Sequence, residues 1–127
     1  MKRLTKLMKP LKGHNSFTRV ISKGVKVKSE SFVGFFVPNE SEISFVKFGI
    51  SIPKKHAKKA VVRNRTKRLV KESLICLAKY DEDILLTFEE FVLIRTEKLP
   101  SHPKLISFSN VKAEIYELFD KAKMRIG

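Results

Sequence analysis

Between Lys54 and Lys71 the chain carries nine basic side chains and no acidic one. On a helix of 3.6 residues per turn, Lys59, Arg63, Lys67 and Lys71 follow one another at i, i+4 spacing, with Asn64 and Arg68 beside them. Four like charges at that spacing weaken an isolated helix, so a partner that neutralises them is the simplest compensation. Phosphates do this, and the planar fork of Arg can grip a phosphate with two parallel hydrogen bonds where Lys offers a point charge. Asn64 adds a donor and an acceptor that suit a 2′-hydroxyl or a base edge. A solvated basic face is the plainer reading, and the lack of any interleaved acid argues against it.

The same segment has a second side. Val62, Thr66, Leu69, Val70, Ser73 and Leu77 fall on one stripe at helical spacing, which predicts a helix over about 58–78 packed by that stripe and basic on its back. Aromatic residues supply another candidate chemistry, with ten Phe, two Tyr and no Trp. In 31–37, SFVGFFV, a strand period of two puts Phe32 and Phe36 on one face and Phe35 on the other. One set must be core, as Phe usually is. The other, with Phe17 upstream, could offer single-stranded RNA a surface on which bases stack.

Catalytic apparatus is not visible. His14, His56 and His102 are scattered without a Ser, Cys or acid at a known spacing, and no glycine-rich phosphate loop or zinc pattern is present. The acids at 81–83 and 89–90 read as solvated. A lone cysteine, Cys76, cannot form an internal disulfide; it reads as a small buried apolar residue and fits a reducing cytoplasmic setting. No catalytic residue and no metal site are therefore expected in this chain.

The elements that must position these residues come next. A length of 127 residues, 43% apolar, suits one domain over 1–127. The formal net charge is +14, and it is uneven: residues 1–71 carry a net +16, residues 72–127 a net −2. One binding face for a polyanion is the natural reading of that asymmetry. Residues 1–13 read as a basic, partly extended arm broken by Pro10 and Gly13, with neither a signal-peptide pattern nor an apolar run of membrane-spanning length in the chain. Asn15 or Ser16 is expected to cap a short helix to about Ser22, stopped by Gly24. Strands are expected over 31–37 and 43–52, paired as a hairpin across Asn39–Glu42, with a weaker strand signal at 24–28. After the basic helix, Ile84–Phe88 could extend it or form a short strand, and Phe91–Ile94 reads as a buried strand. Ser107 or Ser109 can cap a last helix striped by Val111, Ile115, Leu118, Phe119 and Ala122. Helices and strands in this order give an α+β sandwich with a mixed sheet.

The run AVVRNRTKRLVKE at 60–72 closely resembles the arginine-rich "RNR" motif of the bacterial ribonuclease P protein family. FGISIPKKHAKKAVV before it, NSFTRVISKG at 15–24 and EEFVLIRTE at 89–97 resemble that family's neighbouring elements in the same order. The resemblance covers about residues 3–120. It implies a two-layer α/β sandwich, in the order α-β-β-β-α-β-α with a left-handed crossover, of a type shared with a ribosomal-protein domain. It implies a protein subunit of ribonuclease P, an endoribonuclease that removes the 5′ leader of precursor tRNA. The cleavage chemistry and its Mg2+ would lie with the RNA subunit. Roles in binding that RNA transfer to Arg63, Asn64 and Arg65, extended by Lys67 and Arg68, with Lys54 and Lys55 as the preceding basic pair and Lys59 and Lys71 on the same face. Phe17 and Phe35 match aromatic positions of a cleft for the leader. Ile21 stands one turn after Phe17, where the family usually has an aromatic, so stacking there is expected to be weaker or differently placed. Pro53 takes a place where Ser or Ala is common, so the strand before it should end there. The expected partners are the RNA subunit and precursor tRNA, with no membrane and no requirement for a protein oligomer.

Two other classes fit parts of the pattern. A structural RNA-binding protein of ribosomal type would use the same basic helix but has no need of a Phe17/Phe35 cleft. A DNA-binding module would lay that helix in a major groove, yet the apolar stripe speaks for a helix packed on a sheet, without heptads for dimerisation. A membrane-surface helix would want bulky aromatics on its apolar face, and none is there.

Overall fold

The computed structural model describes residues 7–126. Its elements are β1 (Met8–Pro10), α1 (His14–Lys23), β2 (Val25–Lys28), β3 (Phe32–Pro38), β4 (Val46–Ser51), α2 (Ala60–Tyr80), α3 (Glu82–Leu86), β5 (Phe88–Arg95) and α4 (Phe108–Ile126), with single 3-10 turns at Lys54–His56 and Pro103–Leu105. The five strands form one mixed sheet in the order β1-β4-β5-β3-β2. The expected α+β order is present, with β1 and α3 added to it.

The expected hairpin between 31–37 and 43–52 does not form. β5 lies between the two strands, antiparallel to β3 and parallel to β4. The reason is burial. Phe91, Val92 and Leu93 are fully buried, and a strand so apolar is best placed with a neighbour on each side. The chain from β4 to its parallel neighbour β5 passes through α2 and α3, as a parallel pairing requires. The weakly signalled strand at 24–28 is present as β2 and pairs antiparallel with β3.

The basic arm expected over 1–13 is partly a strand. Met8–Pro10 pairs parallel with β4 at the sheet edge, and the Leu11 amide donates to the Phe48 carbonyl at 2.8 Å. Pro10 fits an edge position because it has no N–H to give. Residues 1–6 of the expected arm lie outside the described residues. The cap expected from Asn15 or Ser16 is also replaced. Gly13 holds the N-cap position at φ 86°, and the Ser16 hydroxyl donates back to the Lys12 carbonyl. Segment 84–88 neither extends α2 nor forms a strand of its own: Asp81 caps α3 through the Ile84 amide, and Phe88 opens β5.

α2 and α4 cover one face of the sheet. The stripe expected on α2 is buried at every position, and so is the stripe expected on α4. Thr66 and Ser73 are polar members of the α2 stripe, and their hydroxyls donate to the Val62 and Leu69 carbonyls one turn back. Between sheet and helices, the rings of Phe36, Phe88 and Phe91 meet Phe119 of α4 and one another at centroid distances of 4.8 to 5.7 Å. At one end of the sheet, Glu114 on α4 accepts from the Ser31 amide and the Ser29 and Ser31 hydroxyls. Arg95 donates to the Ser31 hydroxyl beside it. Burial pulls the Arg95 guanidinium below its ordinary pKa, while Glu114, Glu97 and Glu30 act to raise it. Along the β2 edge, Lys121 and Arg125 donate to the Lys28 and Lys26 carbonyls.

Candidate nucleic-acid interface

The other sheet face is only partly covered, by α1. Cross-strand register puts Lys26, Phe35, Val92 and Gly49 in one row on this face, and Lys28, Val33, Ile94 and Ser51 in the next. Val20 of α1 packs on Val37, Val92 and Leu11, with Phe17, Phe35 and Ile94 half-buried around them. Phe17 lies across Gly49 so closely that an added Cβ would stand 2.4 Å from the ring. Glycine at 49 is thus what lets the ring lie on the strand. Gly24 answers a similar need at the end of α1, where an added Cβ would meet the Val20 carbonyl and the Phe36 amide. Phe35 is two strands away from Gly49 in the same row, about 10 Å at ordinary strand spacing. Ile21, one turn beyond Phe17, is 38% exposed. Arg19 from α1 forms an ion pair with the buried Glu90, fixing the helix on the sheet.

Phe17 also reaches a groove of about 580 Å³ at the β1–β4 edge. Phe48, Ile50 and Leu74 give it apolar walls, and Lys67 and Lys71 of α2 line it too. One depression therefore joins an aromatic rim to two cations of the basic helix. Phe35 and Ile21 do not line it; Phe35 belongs to the sheet face beside α1, and Ile21 is exposed on α1 itself.

The basic helix divides its charges between two tasks. Lys59, Asn64, Lys67, Arg68 and Lys71 are exposed, and Lys54 and Lys55 are exposed on the 3-10 turn ahead of the helix. Arg63 and Arg65 are half-buried and engaged: at helical spacing they flank the apolar stripe on either side, against the expectation that both lie free on the basic face. Arg63 Nη1 donates to the Ala57 and Lys58 carbonyls, each at 2.8 Å. It thereby holds the backbone that carries the preceding lysines. Arg65 Nη2 donates to the Ile106 carbonyl at 3.2 Å and ties α2 to the loop before α4, while its Nε is buried without a partner. The Arg63 acceptors lie in the non-helical segment just before α2 and the Arg65 acceptor is in a distant loop, so helical spacing does not identify either. Lys26 and Lys28 are exposed on the same sheet face as Phe35, a placement that follows from the register with β3.

Among the described residues, no three His, Cys, Asp or Glu side chains come together to hold a metal ion. Among them, too, no helix is long and apolar enough to cross a membrane. Cys76 is a free thiol, partly buried on α2. Tyr116 on α4 has its hydroxyl pKa raised, by burial first and then by the nearby Cys76 and Tyr80.

An α+β sandwich that turns a dense basic helix face outward, beside an aromatic-rimmed groove, defines a class of protein fitted to meet a polyanion. The particular family is shown by comparison: the chain belongs to the ribonuclease P protein family, whose model, described as Ribonuclease P, matches residues 6–123. A ribonuclease P protein component from Nitrosococcus oceani is 38% identical over 71 residues, covering 56% of this chain and 55% of that protein. The chain thus matches about half the length of that relative. The ribonuclease P protein component of Bacillus cereus (strain Q1) is 27% identical over 115 residues, 91% of each chain. The RNase P protein of Staphylococcus aureus superposes with a TM-score of 0.68 at 25% identity, over 90% of this chain and 94% of that one.

Proposed function

We propose that this chain is the protein subunit of ribonuclease P, a single cytoplasmic domain that binds the RNA subunit and the 5′ leader of precursor tRNA. The observation that carries this reading is the groove shared by Phe17, Lys67 and Lys71. It lets a strand pass from the basic helix to an aromatic surface without a break.

The division of labour follows from the residues. Lys59, Asn64, Arg68 and the pair Lys54–Lys55 meet phosphates and 2′-hydroxyls of the RNA subunit, with Lys67 and Lys71 between that RNA and the groove. Arg63 and Arg65 keep this surface in shape and offer their remaining N–H groups to the RNA. Phe17 and Phe35, with Ile21 beside them, form the stacking surface for the leader, and Lys26 and Lys28 neutralise its backbone. Stacking is tolerant of sequence, which suits an enzyme that must accept many leaders. The Mg2+ of the holoenzyme is assigned to the RNA subunit on the strength of the family resemblance. Endonucleolytic cleavage is likewise assigned to the RNA, and this chain contributes binding and orientation.

Reconstitution with the RNA subunit tests the proposal on precursor tRNAs carrying leaders of different lengths. The expected outcome is cleavage at the mature 5′ end only when RNA is present, with protein-dependent gain growing as the leader lengthens to fill the groove. Cleavage by RNA-free, nuclease-treated protein would overturn the division of labour.

A further inference from the structure

A second concavity lies on the far flank of α2, away from Phe17. It has a volume of about 650 Å³ and is lined by Val61, Asn64, Arg65, Arg68, Pro103 and Lys104. Four of these side chains come from the start of the basic helix, and two come from the 3-10 turn between β5 and α4, about 40 residues downstream. Three are cations, one is an amide, and none is an acid.

The two elements are fastened to each other. Arg65 donates to the Ile106 carbonyl, just after the turn, so the helix and the turn hold a fixed separation. The turn itself is set by Pro103, whose ring fixes φ, and by His102 Nδ1, which accepts from the Lys104 amide. Lys104 is therefore presented on rigid backbone rather than on a mobile loop. Val61 is 57% exposed and sits beside these charges, although an apolar side chain there gains nothing from water. Arg65 Nε is buried and has no acceptor among the described residues.

This set matches the parts of one nucleotide. A phosphate needs convergent cations, which Arg68 and Lys104 supply from opposite walls. A ribose or base needs an apolar surface, which Val61 and Pro103 supply. A 2′-hydroxyl or base edge needs a donor and an acceptor together, which Asn64 supplies. We infer that the cleft between the start of α2 and the Pro103–Leu105 turn is a binding site for one unpaired nucleotide of the RNA subunit, with Lys104 as its second phosphate ligand. The inference rests on the subunit reading above, and it assigns to the turn before α4 a role in RNA recognition that the basic helix alone would not need.

The site is separate from the leader groove, so its loss should be blind to the leader. The test measures binding of the full chain to the in vitro transcribed RNA subunit across a salt titration. Lys104→Ala is expected to weaken binding about tenfold, the effect of losing a charge-assisted hydrogen bond, and to reduce the salt slope by about one. Lys104→Arg should restore both. If Lys104 and Arg68 share a phosphate, the double variant Lys104→Ala/Arg68→Ala should cost clearly less than the two single losses added together. Val61→Asp should weaken binding with an unchanged melting temperature, since that side chain is largely exposed. The ratio of precursor to mature tRNA affinity in the reconstituted enzyme should stay at the wild-type value in each variant. Wild-type affinity and salt slope in Lys104→Ala, beside a clear loss in Arg68→Ala, would overturn the inference and leave the subunit reading standing. Absence of salt-dependent binding by the wild-type chain would overturn both.

Discussion

The two faces of the sheet are built from the same strands and have opposite fates. In β3, Phe32 and Phe36 point to the side covered by α2 and α4 and are fully buried, whereas Phe35 points to the α1 side and stays half-buried. On the first side four Phe rings close over one another. On the second, a helix of ten residues covers only one end of the face and leaves Phe35, Ile94, Lys26 and Lys28 at the surface. The difference teaches that an aromatic run in a sequence can supply a closed core and an open aromatic face at once, by alternation alone. It also shows why the small first helix matters: a longer one would complete a second core and remove the surface.

The sharpest way to break this comparison is to truncate one ring on each face. Phe36→Ala should cost about 3–5 kcal/mol of stability, as expected for a fully buried aromatic, read by urea denaturation. Phe35→Ala should cost much less on the same curve. Equal losses would mean that both faces are core.

A second measurement asks what the open face is for. Phe17→Ala and Phe35→Ala should each weaken precursor tRNA binding by about 1–3 kcal/mol, the worth of a stacked base, with mature tRNA binding unchanged. A loss that ignores the leader would return both rings to a structural role.

A third contrast separates the arginines of the basic helix. Arg63→Ala removes two hydrogen bonds to the backbone at 57 and 58, a cost of about 1 kcal/mol for a partly exposed group. It should speed amide hydrogen exchange in the segment 57–59. Arg68→Ala should leave exchange there as it was and act on RNA binding alone. The smallest expected effect comes from Ile21→Phe, which adds an aromatic at an exposed position one turn from Phe17. Leader binding should strengthen by less than about 1 kcal/mol if the bases run along α1. An unchanged leader preference would place their path elsewhere.

What could be read from the sequence follows the range of the interactions involved. The α2 and α4 stripes were legible because helical periodicity is local, and every expected position is buried. The split of Phe32 and Phe36 from Phe35 was legible for the same reason. Strand pairing was not: β3 and β4 are neighbours in sequence, and their shared partner β5 arrives some 40 residues later. The edge strand Met8–Pro10 was hidden by its brevity and by its proline. At the candidate site, the exposed cations of α2 could be named from spacing. The ties of Arg63 and Arg65 could not, because the first depends on how the non-helical segment at Ala57 and Lys58 turns into the helix and the second on the Ile106 carbonyl, which only the folded chain brings near.

The β2 edge has one more consequence. An open sheet margin is a template on which another chain can zip, and a protein of high β content risks fibrils there. Here the outward carbonyls at Lys26 and Lys28 are already occupied by Arg125 and Lys121. The opposite margin ends in Pro10, which has no proton to share. A chain with a net charge of +14 must stay dispersed, and the same cations that repel one copy from the next also close the seam along which copies could be stitched.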